Sequence, residues 1–373
     1  MGLRILHLID SGGLYGAERM LLMLVEEQLR QGLEPMILSA GEPHIGTKPI
    51  EEEAHRLALP VIPWRMSKGL NLREAWKILQ WAKRNHYQVL HSHGYKFNIL
   101  TGFWPAWLRG LPVVTTLHGY VRAPRRSRMA AYEALDRWML TRLDRIVIVS
   151  EGMRRLVPPS VRQPSRCLYI PNGISPTPPA PAQLPGPVVG FLRQHKQCLL
   201  AVGRLSREKG FNYLVDVFAR TPANLSQTGL VIIGEGGERE RLESEIAKHG
   251  LEKQILLAGY QQNAAAWMPH FDALVMPSLT EGLPITILEA LRADLPIIAS
   301  AVGALPSLLG DTDSATLIPP GDVSALETAL TNWAIIPPAD KGATTASSLR
   351  PYSAVAMAEG YYSVYRDLLA GMA

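Results

Sequence analysis

Short apolar runs alternate along this chain with longer stretches in which apolar residues recur every three or four positions. "RILHLI" (4–9) is a run of the first kind and predicts a buried strand. "AERMLLMLVEEQLR" (17–30) is of the second kind and predicts a helix with Met20, Leu21, Leu24 and Val25 on one face. "PMILSA", "VLHSH", "PVVTTLH", "RIVIVS" and "CLYIPN" predict further strands, with helical patterns between most of them. Such β–α–β alternation predicts a parallel sheet covered on both faces.

The alternation stops at "ISPTPPAPAQLPGP" (174–187), where six prolines and a glycine leave no room for a regular element. It then restarts. "QCLLAVGRL", "GLVIIGEG", "QILLAGY", "FDALVMP" and "LPIIAS" predict strands; "KGFNYLVDVFAR" and "ERERLESEIAKHG" predict helices. The reading is two α/β halves, 1–173 and 188–351, joined by a Pro-rich linker at 174–187. A closing segment, "SAVAMAEGYYSVYRDLL", predicts a terminal helix with Val355, Ala358, Tyr362, Tyr365 and Leu369 in phase. The stretch before it, 337–351, has no pattern that can be placed.

Composition narrows the class. The 373 residues are too many for one ordinary core and fit about two domains. Hydrophobic content of 47% against 19% charged is a globular balance. Two cysteines, Cys167 and Cys198, argue against a disulfide framework and fit a reducing cytosol. The apolar start is too short for a signal peptide, and no run is long enough to span a membrane, so a cytoplasmic protein is expected. The net charge of +5 is unevenly placed: residues 119–170 hold eleven arginines against Glu133, Asp136, Asp144 and Glu151. A local patch of this kind suits an anionic surface or substrate. No recognition-helix, RNP or zinc pattern supports nucleic acid as the partner.

Open parallel sheets bind ligands beyond the carboxyl ends of their strands, so the turns after strands are the places to search. "DSGGLYGAER" brings Gly12, Gly13 and Gly16 to the start of a helix, where a bare backbone and a positive helix end favour an anion, although a purely structural turn reads as well. "VIIGEGGERE" repeats the device with Gly234, Gly236 and Gly237. "AVGRLSREKGF" places Arg204 and Lys209 where both reach one anion if the loop folds back; a solvated loop is the alternative. "VLHSHGY" and "TLHGY" put His91, His93 and His118 at strand ends. His91 and His93 share one side of a strand, but no third ligand is evident, so no metal site is expected. In "EGLPITILEA" (281–290), Glu281 and Glu289 bracket a proline suited to starting a helix.

These motifs occur in one order: "SGGLYGAERMLLMLVEEQLRQG", "HSHGYKFN", "TLHGY", "IPNGI", "AVGRLSREKGFNYLVDVFA", "IIGEGGERERLE" and "PSLTEGLPITILEALRADLPIIASAVGALPSLL". Together they resemble the retaining nucleotide-sugar glycosyltransferases of family 4, from about residue 3 to residue 330. The resemblance implies the GT-B fold: two Rossmann-like parallel-sheet domains facing a cleft, with helix 352–373 returning to the N-terminal domain. It implies that Arg204 and Lys209 hold the donor diphosphate and that Glu289 accepts from ribose hydroxyls. Backbone donors of Leu283 and Ile285 would serve the donor, with Gly234 nearby, and Gly13 and Gly16 would approach the phosphate or acceptor. His118 and Glu281 would flank the sugar at the reaction centre, with no metal and no cofactor beyond a UDP- or GDP-sugar co-substrate. Two departures stand out: Pro284 replaces a glycine and so donates no N–H, and Ser175 replaces an aspartate.

Acceptors in that family bind the N-terminal domain. There "RAPRRSRMAAYEALDRWMLTR" sets arginines beside Met129, Tyr132, Leu135 and Met139, and "FWPAWLRG" adds Trp104 and Trp107. This suits an anionic membrane surface on the cytosolic face and a lipid-linked or envelope-polysaccharide glycan as acceptor. The alternative is an apolar stripe packed on the sheet beneath solvated arginines. Two other functions share the architecture: a non-catalytic nucleotide-sugar-binding subunit and a nucleotide-sugar 2-epimerase.

Overall fold

The computed structural model describes residues 2–119, 128–220, 222–310, 312, 314–335 and 349–371. The chain forms two units, Met1–Ser175 with Pro351–Ala373, and Pro176–Arg350.

The first unit is built on seven parallel strands: β1 (Arg4–Ile9), β2 (Glu34–Gly41), β3 (Val61–Arg65), β4 (Val89–Ser92), β5 (Val113–Leu117), β6 (Arg145–Ile148) and β7 (Cys167–Tyr169). Their order is β3-β2-β1-β4-β5-β6-β7. Strand order therefore reverses between β1 and β4, which opens a crevice beyond their carboxyl ends. The register there sets His7 of β1 opposite His91 of β4. The Gly16–Arg30 helix buries Met20, Leu21, Leu24 and Val25, as its periodicity predicts. Its first turn is closed by Glu18, whose carboxylate accepts from the Tyr15 N–H at 2.9 Å.

The second unit has six parallel strands: β8 (Gln197–Val202), β9 (Thr228–Ile233), β10 (Ile255–Gly259), β11 (Ala273–Met276), β12 (Ile297–Ser300) and β13 (Ala315–Ile318). Their order is β10-β9-β8-β11-β12-β13, so the switch point lies between β8 and β11. Two apolar clusters, one on each face, fill this unit; Leu199 and Ile232 point into one, Leu200 and Val231 into the other. That alternation on adjacent strands is the pleat of a sheet covered on both sides.

Three sequence expectations change. The Pro-rich stretch is not featureless to its end, because the Gly186–Leu192 helix starts inside it, with Pro187 in the first turn where no N–H is needed. The terminal helix, Ala354–Ala370, is rotated from the expected phase. It buries Met357, Ala358, Tyr361, Val364, Tyr365 and Leu368 and leaves Val355 and Tyr362 exposed. The helix is apolar on most sides, so periodicity leaves its orientation open; hydrogen bonds to Tyr361 and Tyr365 fix it. The Arg128–Leu140 helix is turned the other way from a packed stripe. Met129 and Tyr132 are exposed with Trp138, only Met139 of the outer stripe is buried, and Glu133 and Asp136 face inward. Asp136 accepts from the Asn98 amide at 2.8 Å, which satisfies a carboxylate that burial would otherwise penalise. Part of the arginine-rich segment, residues 120–127, lies outside the described residues, as do residues 337–348 of the unplaced stretch.

Candidate functional site

In the second unit the loops after β8, β11 and β12 meet beyond the switch point. The β8 loop carries Arg204 and Lys209, and the β11 loop carries Glu281. The Leu279 N–H donates to the Glu208 carbonyl at 2.8 Å, joining the first two. The β12 loop supports Glu281 from behind. Gly303 has φ +60°, and a Cβ there would lie 2.4 Å from the carbonyl oxygens of Glu281 and Gly282. No side chain fits that approach. The Ala304 N–H donates to the Gly282 carbonyl at 2.9 Å.

Lys209 and Glu281 are thereby brought together: Nζ lies 2.6 Å from Oε1, with side chains 21% and 10% exposed. Arg204 reaches Glu208 on its own loop. Both cations expected to wait for an anion are thus ion-paired here. Leu283 and Ile285, which follow Glu281, are buried. Pro284 stands just before the Ile285–Arg292 helix, and Glu289 lies inside it. Burial lowers the Arg292 pKa, and the neighbouring Glu289 charge opposes that. Gly234 has a structural reason of its own: at φ +152°, a Cβ would lie 1.8 Å from the Gly203 carbonyl oxygen. Its bare backbone permits strand-end packing whether or not a donor binds there. Two buried hydroxyls near these loops, Ser278 and Ser300, have no hydrogen-bond partner among the described residues, and no local pattern in the sequence marks them.

In the first unit the β1 turn leaves open space where Gly12 and Gly16 would carry a Cβ, whereas a Cβ on Gly13 would strike the Tyr15 ring. Beside this turn, Asp10 is held by Lys48 at 3.0 Å and Lys96 at 2.7 Å. Burial works against its ionisation, but the hydrogen bonds to Lys96 and Lys48 outweigh it and keep the carboxyl below its usual range. Nothing in the sequence around either lysine signals this role.

The strand-end histidines are not isolated. His7, His91 and His93 cluster with ring nitrogens within 4.8 Å of one another, so His7 is the third imidazole that the sequence does not reveal. Every ring nitrogen of the three is already hydrogen-bonded. His7 Nε2 meets Gln28 Oε1 at 2.9 Å and His7 Nδ1 meets His93 Nε2 at 3.0 Å. His93 Nδ1 meets His118 Nε2 at 3.2 Å. His91 Nδ1 meets the Tyr365 hydroxyl at 2.6 Å and its Nε2 meets Thr116 Oγ1 at 2.8 Å. A metal would have to break these bonds, so the cluster reads as a hydrogen-bonded network. Burial lowers the pKa of His7 to about 4 against the opposing Gln28 hydrogen bond, and that of His118 to about 4. His91 and His93 are lowered well below the usual imidazole value, by burial first and by the neighbouring imidazoles second. All are neutral at pH 7. His118 is half-buried as a residue, and its Nδ1 is buried with no partner among the described residues.

Comparison with known proteins agrees with this architecture. The family model "Glycosyl transferases group 1" matches residues 189–342, and "Glycosyltransferase Family 4" matches residues 15–177. The chain is 26% identical over 341 residues to 2-deoxystreptamine glucosyltransferase of Streptomyces kanamyceticus, covering 79% of this chain and 83% of that one. It is 26% identical over 292 residues to the Escherichia coli UDP-Gal:alpha-D-GlcNAc-diphosphoundecaprenol alpha-1,3-galactosyltransferase, covering 75% of each. Among solved structures, Anabaena HepE in complex with UDP-glucose superposes with a TM-score of 0.80 at 19% identity, over 98% of this chain and 100% of that one. That likeness shows the fold.

Proposed function

Because the chain belongs to the group 1 glycosyltransferases of the GT-B fold, which move a sugar from a nucleotide-sugar to an acceptor, we propose that it takes a UDP- or GDP-hexose, retains the anomeric configuration and needs no metal. The observation that carries this reading is the Lys209–Glu281 pair at the switch point of the second unit. When the glycosidic bond breaks, negative charge grows on the leaving diphosphate. Lys209 and Arg204, on one loop after β8, stabilise it in this reading, which supplies the electrostatic role a metal would otherwise fill. Glu281 beside Lys209 faces the sugar end, and Glu289 inside the helix faces the ribose. The backbone N–H groups of Leu283 and Ile285 serve the donor. On the first unit, His118 contacts sugar hydroxyls, and Gly13 and Gly16 let phosphate or acceptor approach the backbone.

UDP is the favoured base: the matched galactosyltransferase is named for a UDP-sugar, and HepE was crystallised with UDP-glucose. The acceptor we propose is a lipid-linked or envelope-polysaccharide glycan, reached at the inner face of an anionic membrane. Two observations support this. The Arg128–Leu140 helix exposes Met129, Tyr132 and Trp138, and Trp107 is 82% exposed. At the C-terminal end of the helix, a pocket of about 450 Å³ is lined by Arg137, Trp138, Arg155 and Arg162. No helix among the described residues is long and apolar enough to cross a membrane, so contact would be peripheral.

The test is turnover. Purified protein is given UDP- and GDP-sugars with lipid-linked acceptors, with and without a chelator, and nucleoside diphosphate release and product anomer are read. Transfer that survives chelation and keeps the α configuration supports the reading. An inverted product, or loss of transfer on chelation, overturns the corresponding part. Binding without turnover for every donor and acceptor would favour a non-catalytic subunit.

A further inference from the structure

Gln28 sits at the junction of two hydrogen-bonded arms. One runs through His7 and His93 to His118; the other runs through Tyr365 and His91 to Thr116 and Tyr361, whose hydroxyls are 2.8 Å apart. An imidazole that donates from one nitrogen must accept at the other when neutral, so each arm has a single direction set at its origin. With the Gln28 oxygen on His7, His7 donates from Nε2 and accepts at Nδ1. His93 then donates from Nε2 and accepts at Nδ1, and His118 donates from Nε2. What remains is the His118 Nδ1 lone pair, buried and unpartnered among the described residues.

The other direction is worse. With the Gln28 amide turned over, every bond along the arm reverses and His118 ends with a buried Nδ1–H that has no acceptor. Orphaned buried N–H groups are rarer and costlier than under-used acceptors. The second arm agrees. The Gln28 NH₂ donates to Tyr365, Tyr365 to His91 Nδ1, His91 Nε2 to Thr116, and Thr116 to Tyr361, with no clash of donors.

We propose that Gln28, His7 and His93 are positioning residues that hold His118 in its Nε2–H tautomer, so that Nδ1 offers a neutral lone pair to a hydroxyl of the bound sugar. This rests on the reading of His118 as a sugar contact. A neutral acceptor cannot hold a phosphate oxygen, so the relay also assigns His118 to the hydroxyl-bearing part of the substrate and not to the diphosphate. Being neutral, it needs no counter-charge in its buried setting.

The experiment reads the tautomer directly and without substrate. Full-length protein labelled with ¹⁵N-histidine gives long-range ¹H–¹⁵N correlations at neutral pH, with His118 assigned by His118→Asn. The expected spectrum has His118 protonated at Nε2 and bare at Nδ1. Gln28→Glu keeps an acceptor on His7 and should preserve that state. Gln28→Leu removes it and should leave His118 a mixture of tautomers, with kcat about tenfold lower and KM little changed. Tyr365→Phe disturbs only the other arm and should leave the His118 signature intact. Protonated Nδ1 in the wild-type protein overturns the proposal whether or not any variant folds, and so does an unchanged His118 tautomer in Gln28→Leu. The expected tautomers together with no release of nucleotide from any donor would uphold the relay and overturn instead the substrate role of His118.

Discussion

Lys209 and Glu281, 72 residues apart in the chain, share an ion pair of 2.6 Å. The pair ties the loop that follows β8 to the loop that follows β11, the two strands between which the sheet order of the second unit reverses. Each partner alone would be poorly served: the Glu281 side chain is 10% exposed and Lys209 only 21%.

The first prediction separates the two residues. Lys209→Met leaves the largely buried Glu281 carboxylate without its cation and removes the charge proposed to stabilise the leaving diphosphate. We expect kcat/KM to fall roughly hundredfold or more. Glu281→Gln keeps the shape and frees the lysine. It should weaken nucleoside diphosphate binding little while lowering turnover with the whole nucleotide-sugar. Calorimetric titration with UDP and steady-state kinetics on both variants check this. Equal losses of UDP affinity in both would refute the assignment of Glu281 to the sugar end.

The loops that carry the candidate residues are legible in the sequence alone, and the features that are not share a cause. Arg204, Lys209 and Glu281 stand in loops with recognisable punctuation, and Glu289 follows in the helix that Pro284 introduces, so local pattern locates the segments that carry them. The edge strands β3 and β13 escape that pattern because "VIPWR" carries a proline and "ATLI" is only half-buried, so neither gives a long apolar run. His7 is hidden in "RILHLI", where one histidine among apolar residues looks like strand filler. Only the parallel register that sets it beside His91 reveals the cluster. The two tyrosines of the terminal helix are more distant still: Tyr365 lies 274 residues from His91, and no local pattern couples them. The Arg128–Leu140 helix misleads in the opposite sense, because Met129 and Tyr132 of its apolar stripe lie outside and its buried Asp136 is satisfied by a partner on another helix.

A second prediction follows from that inverted helix. Met129→Ser, Tyr132→Ser and Trp138→Ser change exposed side chains and should each alter stability by no more than about 0.5 kcal/mol. Flotation with anionic vesicles should weaken in the triple variant and should be absent with neutral vesicles for every form. Asp136→Ala is the control. It removes the buried acceptor of the Asn98 amide and should cost about 1–3 kcal/mol in denaturant unfolding. A stable Asp136→Ala protein beside an unstable triple variant would show that the helix faces the other way.

A third concerns the anchoring of the C-terminal helix. Tyr365→Phe deletes the hydroxyl bonded to His91 at 2.6 Å and leaves a buried ring nitrogen unsatisfied. Tyr361→Phe deletes a partner of Thr116, which still has His91. The Tyr365 change should therefore cost more, about 1–3 kcal/mol against about 1 kcal/mol or less. Urea titration of both variants checks the order, and a larger loss in Tyr361→Phe would contradict it.

The last prediction is a dependence on pH. His7, His91 and His93 are buried, and burial holds His7 at about 4 and the other two well below the usual imidazole value of 6.5. Between pH 6.5 and about 4 the unfolded chain therefore binds protons that the folded chain refuses. Stability rises with pH wherever the unfolded state binds more protons, so the full contribution of the cluster is present above 6.5 and is lost as pH falls through that value towards 4. A single such histidine gives a slope approaching about 1.4 kcal/mol per pH unit in the lower part of that window. Because the three imidazoles interact, they titrate as a set and not one by one. Thermal unfolding of the intact protein at steps from pH 7.5 to 5 should show the melting temperature flat above neutrality and falling steeply below about 6.5. His7→Gln keeps a polar side chain that can bond Gln28 and His93 but takes up no proton. It should lower stability at pH 7.5 yet flatten the acid limb, so that the two curves converge as pH falls. Parallel curves, with the same acid slope in both proteins, would place the acid sensitivity elsewhere in the fold.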